Sequence, residues 1–303
     1  MSSPHGGDST SQFDNWLKTV SDRARSSFGA EDRLGTANYI DTAAHLRAAR
    51  CIEIGVAINL TRPLREGPGF QVETYFEAGH GFDRIDAACH GYSKTHIDAL
   101  NHVTMHDKFY GGRSSDDDVP TVVDLANHSL FTRAIFADIP AVRGTPWVLA
   151  NHPVTDTDIE AALTGIEVVP GDALVLYMGR DRWEEAGNTL GAEPGHPADA
   201  HQHIPDQKPG AGRLAAQWVV DKQISMVAWD FLDAVDDPTA PTEAKGSLHR
   251  LLPTAGLILI DNCELSRAAV AMRTAGRRVA AITASPIATP GGTGSLVNPW
   301  LIL

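Results

Sequence analysis

The densest group of chemically competent side chains runs from Cys89 to His102, with the sequence CHGYSKTHIDALNH. His90, His96, Asp98 and His102 fall within thirteen residues. Residues two apart in an extended segment share a face, so His96 and Asp98 can aim an imidazole nitrogen and a carboxylate oxygen at one point. That is what a divalent Zn, Mn or Fe ion requires. A turn after Asp98 would bring His102 to the same point. A lone histidine is more often structural or surface-exposed than a ligand, and for this cluster spacing alone leaves both readings open.

A second group lies between Leu248 and Asn262. His249 begins a helical turn. Asp261 ends an apolar strand, where side chains open into clefts in α/β proteins. As an alternative, His249 is a surface residue and Asp261 caps the helix that follows. A third group, GHPADAHQH from Gly195 to His203, gives His201 and His203 ligand-like spacing inside a long Pro- and His-rich loop, residues 187–212. Loops of that length are uncommon unless functional or mobile. Contact with solvent or substrate suits His201 and His203 better than a rigid metal site. Gly291-Gly292-Thr293-Gly294 lacks the Lys-Ser/Thr and helix of a phosphate loop. Neither Ser93 nor Ser285 sits in a G-x-S-x-G elbow. Trp183, Trp218, Trp229 and Phe231 could line a pocket, but large aromatics more often fill a core.

The chain has 303 residues, 43% of them apolar and 21% charged, enough for a sizeable core. A formal net charge of −13 disfavours nucleic acid and anionic membranes as partners and leaves a small molecule. Three widely spaced cysteines (Cys51, Cys89 and Cys263) with no CxxC point away from disulfides and towards a reducing compartment. No apolar run reaches membrane-spanning length and the N-terminus has no apolar signal region, so a cytoplasmic location is expected.

Elements that would position these residues can be read in order. Residues 1–10 read as a polar tail, and Phe13, Leu17, Val20 and Ala24 share a face of a helix over 12–28. A loop follows to Asn38, then a helix capped by Asp41 or Thr42. Strand-like runs are expected at 55–60, 71–76, 82–88, 121–125, 131–139, 173–177, 224–229, 257–260 and 279–283. Helices are expected at 155–163, 213–222, 246–254 and 264–275. Ser114–Val119 reads as a solvated acidic loop. The apolar C-terminus should pack. Strands dominate the first half and alternate with helices in the second, which predicts one α/β domain with a mixed β-sheet.

Together these residues resemble the metal-dependent cyclase family, which includes kynurenine formamidase, isatin hydrolase and trans-dienelactone hydrolase. Its signature is H-x-G-T-H-x-D-x-P-x-H. Thr95-His96-Ile97-Asp98 and His102 fall on the T-H-x-D and the final H. Residues 28–38, FGAEDRLGTAN, are similar to the family's W-G-x-x-D-x-L-G-x-x-N. Pro170-Gly171-Asp172 with Tyr177-Met178-Gly179-Arg180 resembles its G-D-x-L-L-x-x-T-G-R strand. His249 and Asp261 match its distal His and acidic ligand, and Gly291–Ser295 its closing G-G-T-G-S. Tyr92 stands where the signature has its first His, Lys94 where it has Gly, Leu100 where it has Pro. A longer-chain branch, H-G-x-x-H-T-H-x-D-x-L-x-H with a distal Asp-Asn, is closer: His90 and Asn262 then match, and Lys94 replaces a His.

The resemblance implies a swivelling β/β/α cyclase-like fold over residues 28–303, with residues 1–27 as a tail and helix. It also implies a homodimer or homotetramer. Its implied cofactor is a divalent metal ion, Mn2+ or Zn2+, with one ion favoured by the departures. His96, Asp98, His249, Asp261 and His90 are the expected ligands, His102 the general base and acid, and Tyr92 an oxyanion donor. Lys94, His201 and His203 are the candidate substrate contacts. Lys94 supplies a charge where a ligand is missing, or simply faces solvent. The implied reaction is hydrolysis of a small amide, cyclic amide or lactone, because a metal ion lowers the pKa of its water from about 16 towards about 7. A metal-dependent dehydratase, isomerase or cyclase and a non-catalytic binding protein are the alternatives.

Overall fold

Polar residues fill the first turns of the opening helix, so no apolar periodicity marks its start. In the computed structural model α1 spans Gly6–Phe28, beginning before the expected residue 12. The structure describes residues 6–67, 69–190, 208–235 and 246–303. Phe13, Leu17 and Val20 of α1 are buried. Asp41 caps α2 (Thr42–Arg50) by accepting from the Ala44 N–H at 2.8 Å. The FGAEDRLGTAN stretch is a clasp around Asp32. Its carboxylate accepts from the Gly35 N–H, the Asn38 amide and the Tyr110 hydroxyl. Gly35 has φ +55°, and a side chain there would collide with the Gly256 carbonyl.

β1 (Ala57–Asn59) precedes a separate two-stranded ribbon of β2 (Phe70–Glu77) and β3 (His80–Ala87), exposed over most of its length. Next come β4 (His96–Asp98) and α3 (Val122–Ala126). The strand expected at 121–125 is therefore a helix. The Val122-Val123 pair favours β structure, but Thr121 and Asp124 form a reciprocal capping box that starts a helical turn instead.

β5 (Leu130–Asp138), α4 (Ile139–Arg143), α5 (Asp156–Ala162), β6 (Ala173–Tyr177), α6 (Arg180–Glu185), α7 (Arg213–Asp221) and β7 (Met226–Trp229) follow. α8 (Leu251–Ala255), β8 (Ile258–Asp261), α9 (Ser266–Ala275), β9 (Val279–Ala284), β10 (Gly294–Leu296) and β11 (Trp300–Ile302) complete the chain.

Nine strands form one mixed sheet in the order β1-β11-β9-β5-β6-β7-β8-β4-β10. β5, β6, β7 and β8 run parallel, and antiparallel strands flank them on both sides. The four parallel strands are apolar at nearly every position because both faces are covered. Ala173, Val175 and Tyr177 of β6 join the core that holds α2 and α9. Leu174 and Leu176 join the core that holds α1, α5, α7 and α8. This is the single α/β domain with a mixed sheet that the sequence predicts. β4 lies against the C-terminal end of β8, so the polar stretch from His96 meets the point where β7 and β8 run out.

Candidate metal centre

β4 pairs on both sides, with β8 and with β10, which forces it to be extended. His96 and Asp98 therefore do share a face. His96 lies directly opposite Asp261 in the β4–β8 ladder. The His96 ring is fixed by its Nδ1, 2.9 Å from the Lys94 carbonyl. A carbonyl only accepts, so Nδ1 carries the proton and Nε2 presents a lone pair. That Nε2 lies 3.5 Å from Asp98 Oδ1 and 3.8 Å from Asp261 Oδ2.

Asp98 is the hub. It is completely buried, and four imidazoles converge on it: His90 Nδ1 at 3.1 Å, His96 Nε2 and His249 Nε2 at 3.5 Å, and His102 Nε2 at 3.8 Å. Neither carboxylate oxygen has a well-aligned hydrogen-bond partner among the described residues. Burial alone would raise its pKa, but the surrounding imidazoles hold it well below the usual carboxylate range.

His90 is carried by the chain leaving the ribbon. Its Nε2 is 3.0 Å from the Thr293 hydroxyl, and a Cβ at Gly294 would lie 2.6 Å from its ring. The Gly291–Gly294 motif thus makes room for an imidazole. His102 stacks on His90 with ring centroids 3.8 Å apart. Burial pushes the His102 pKa down to about 3 against the pull of Asp98, so the ring is neutral near pH 7.

His249 arrives from the turn before α8. Its Nε2 lies 3.2 Å from Asp261 Oδ2, and its Nδ1 lies 2.5 Å from Asp233 Oδ2. Burial pulls its pKa down, but Asp261 and Asp233 outweigh burial and place it well above the ordinary imidazole value. Asp261 accepts at its other oxygen from the Trp229 indole at 2.5 Å. The helix-cap alternative for Asp261 does not hold: Leu265 precedes α9 and makes no side-chain cap.

Burial lifts the Tyr92 phenol to about 12, so it keeps its proton and can donate a hydrogen bond. Its carbonyl accepts from Arg180 at 2.6 Å. Lys94 does not face solvent. It is 3% exposed, because its carbonyl is engaged by His96 and Asn262 and its ammonium turns inward towards Ser93 and Gly69. His201 and His203 lie outside the described residues. Trp218, Trp229 and Phe231 are core residues, and Trp183 packs edge-on against Phe231.

Three site-forming residues were not singled out from sequence as acting here. Asp233 holds His249, and its only sequence signal is its place just beyond a parallel strand. Arg180 donates to Asn262 Oδ1 at 2.7 Å as well as to Tyr92. Asn262, in the left-handed region at φ 53°, donates to the Gly91 carbonyl at 2.7 Å and ties the two halves of the site. His90, Asp98 and His102 form one set of donors close enough to share an ion, and His96, Asp98 and Asp261 another. Buried imidazoles and carboxylates with an unpartnered central carboxylate are a donor set suited to a divalent ion.

The Cyclase family model, described as "Putative cyclase", matches residues 36–236. Among solved structures the chain is similar to a novel cyclase, with TM-score 0.73, 22% identity, and 91% of this chain and 96% of that one covered. It is also similar to isatin hydrolase A from Ralstonia solanacearum, with TM-score 0.56, 17% identity and coverage of 86% and 95%. Isatin hydrolase A from Labrenzia aggregata, bound to benzyl benzoate, gives 0.54, 15%, 84% and 94%. At these identities the likeness is one of fold. No curated protein matches the sequence. Among the described residues no helix is long and apolar enough to cross a membrane.

Proposed function

Because the chain belongs to the Cyclase family, we propose that it is a metal-dependent hydrolase that opens a small amide, cyclic amide or lactone. The observation that carries this is Asp98: a fully buried carboxylate with no well-aligned hydrogen-bond partner among the described residues, ringed by four imidazoles and facing Asp261. Isatin, named in two of the similar structures, contains a cyclic amide of the proposed class.

His96, Asp98 and Asp261 would hold one Mn2+ or Zn2+ ion, with His249 beside them. A divalent ion, when bound, makes hydroxide available from water near neutral pH and polarises a carbonyl. His102, 3.8 Å from Asp98, would take the proton of the attacking water and return it to the leaving nitrogen or oxygen. Its stacking on His90 fixes the ring for both transfers. Tyr92 donates to the oxygen on which charge develops. Lys94, with His201 and His203, would contact the substrate. The proposal includes a cytoplasmic small-molecule substrate and a homodimer or homotetramer.

Metal content and turnover of His96→Ala and His102→Ala test it. His96→Ala should lose both. His102→Ala should keep the metal and lose turnover. Unchanged metal and activity in both variants would sink the proposal. Product mass separates hydrolysis from a dehydratase, isomerase or cyclase reaction, since hydrolysis adds one water.

A further inference from the structure

The geometry points to Asp233 as the positioning residue that presents His249 to a metal ion, with Lys208 as the counter-charge that fixes Asp233. This rests on the reading of the site as a metal centre.

Asp233 lies beyond the end of β7 and is buried. Both of its carboxylate oxygens accept hydrogen bonds from one short segment. Oδ1 accepts from the Leu248 N–H at 2.5 Å, and Oδ2 accepts from His249 Nδ1 at 2.5 Å and its backbone N–H at 3.4 Å. Gly246 is part of the fit, since a Cβ there would lie 2.8 Å from Asp233 Oδ2. With both oxygens used, Asp233 acts on the ring and not as a ligand. An ionised carboxylate can only accept, so Nδ1 carries a proton. Nε2 is then the atom directed at Asp261 and Asp98, 3.2 and 3.5 Å away. A carboxylate behind an imidazole fixes its tautomer and raises its strength as a ligand.

Lys208 addresses the problem this creates. Asp98, Asp233 and Asp261 place three buried carboxylates around His249. The Lys208 ammonium, 4% exposed, donates to the Asp233 carbonyl. Its segment is locked against Asp233 by reciprocal bonds: Ala211 N–H to the Leu232 carbonyl at 3.2 Å, and Ala234 N–H to the Ala211 carbonyl at 3.0 Å. A side chain at Gly210 would collide with the Ala234 backbone, so the two segments fit only with glycine there. Lys208 thereby ties the segment that leads into α7 to the metal centre.

The test is the affinity of chelator-treated full-length protein for Mn2+, by titration calorimetry, with the His249 ring read by 15N NMR at alkaline pH. In an Asp233→Asn variant the new side-chain amide would turn an N–H towards Nδ1, so the ring proton moves to Nε2. That variant should bind Mn2+ about 10–100-fold more weakly, the range expected for loss of such a partner. Its ring should show the opposite tautomer from wild type, and Asp233→Glu should recover part of the affinity. Lys208→Met should weaken Mn2+ in the same direction. A purely structural role would lower the melting temperature of the metal-free protein and leave the tautomer unchanged, and that result overturns the inference. So does wild-type affinity in Asp233→Asn. If Asp233→Asn does not fold, the wild-type tautomer and the Lys208→Met affinity decide. If wild type itself binds no divalent ion, the metal reading fails, while the tautomer still decides whether Asp233 positions the ring.

Discussion

Replacing Trp229 by Phe should cost far more than replacing Trp218 by Phe, although both indoles are buried, 0% and 5% exposed. The Trp229 Nε1 donates to Asp261 at 2.5 Å. The Trp218 Nε1 is buried without a hydrogen-bond partner among the described residues. Each change removes about 40 Å³ of side chain, which at ~24 cal/mol per Å³ of cavity costs about 1 kcal/mol. Trp229→Phe also deletes a hydrogen bond to a buried carboxylate, about 1.5–3 kcal/mol. Its total is about 2.5–4 kcal/mol. Trp218→Phe instead removes an unsatisfied donor, which offsets the cavity by about 1–3 kcal/mol and leaves stability near wild type or above it. Urea and thermal melts of the chelator-treated proteins read both. At ~2–4 °C per kcal/mol, Trp229→Phe should melt roughly 5–16 °C lower. It should also bind Mn2+ more weakly, because Asp261 loses the bond that aims its second oxygen at His96 and His249. Equal melting temperatures for the two variants would refute the claim that the indole holds the carboxylate.

Mn2+ or Zn2+ at about 100 times its Kd should stabilise the stripped protein by about 2.7 kcal/mol, seen as a rise of roughly 5–10 °C by differential scanning fluorimetry; Asp98→Ala should abolish the rise. Burial acts to raise the pKa of Asp158, but Arg143 and the Thr155 cap outweigh it and hold it lowered. That contribution is present above the unfolded value of about 3.9 and is lost as pH falls through the lower folded value. Asp158→Asn should therefore cost about 1–3 kcal/mol at pH 7, and urea melts should show the gap closing below about pH 4. Gly35→Ala should cost at least about 3 kcal/mol in the same assay, from its left-handed φ and the collision with Gly256.

Much of the scaffold is legible before folding because burial on both faces writes a plain signal. Residues 173–177 are expected as a buried strand and form β6 with those bounds. His96 and Asp98 are legible for a related reason: period-two spacing in a strand is a geometric fact, and pairing on both sides of β4 enforces it. Val122-Val123 misleads because β-branched residues favour strands only where no cap intervenes. Lys94 misleads because composition rules place lysine in water, whereas here its own carbonyl is held by two neighbours. Asp233 leaves almost no local trace. It acts on a residue sixteen positions later, across a gap that only the folded chain closes.

The ladder that sets His96 opposite Asp261 also sets an order of events. Thr95 and Asn262, which bond beside that pair, are 167 residues apart in the chain. Contacts of such separation form late, after the entropy of closing the intervening chain has been met. The set made by His96, Asp98 and Asp261 is assembled only when the sheet has closed from β5 through β8 to β4. An ion held by that set would act after the folding transition state: it would leave the folding rate unchanged and slow unfolding, as a latch on a finished fold and not a nucleus for it.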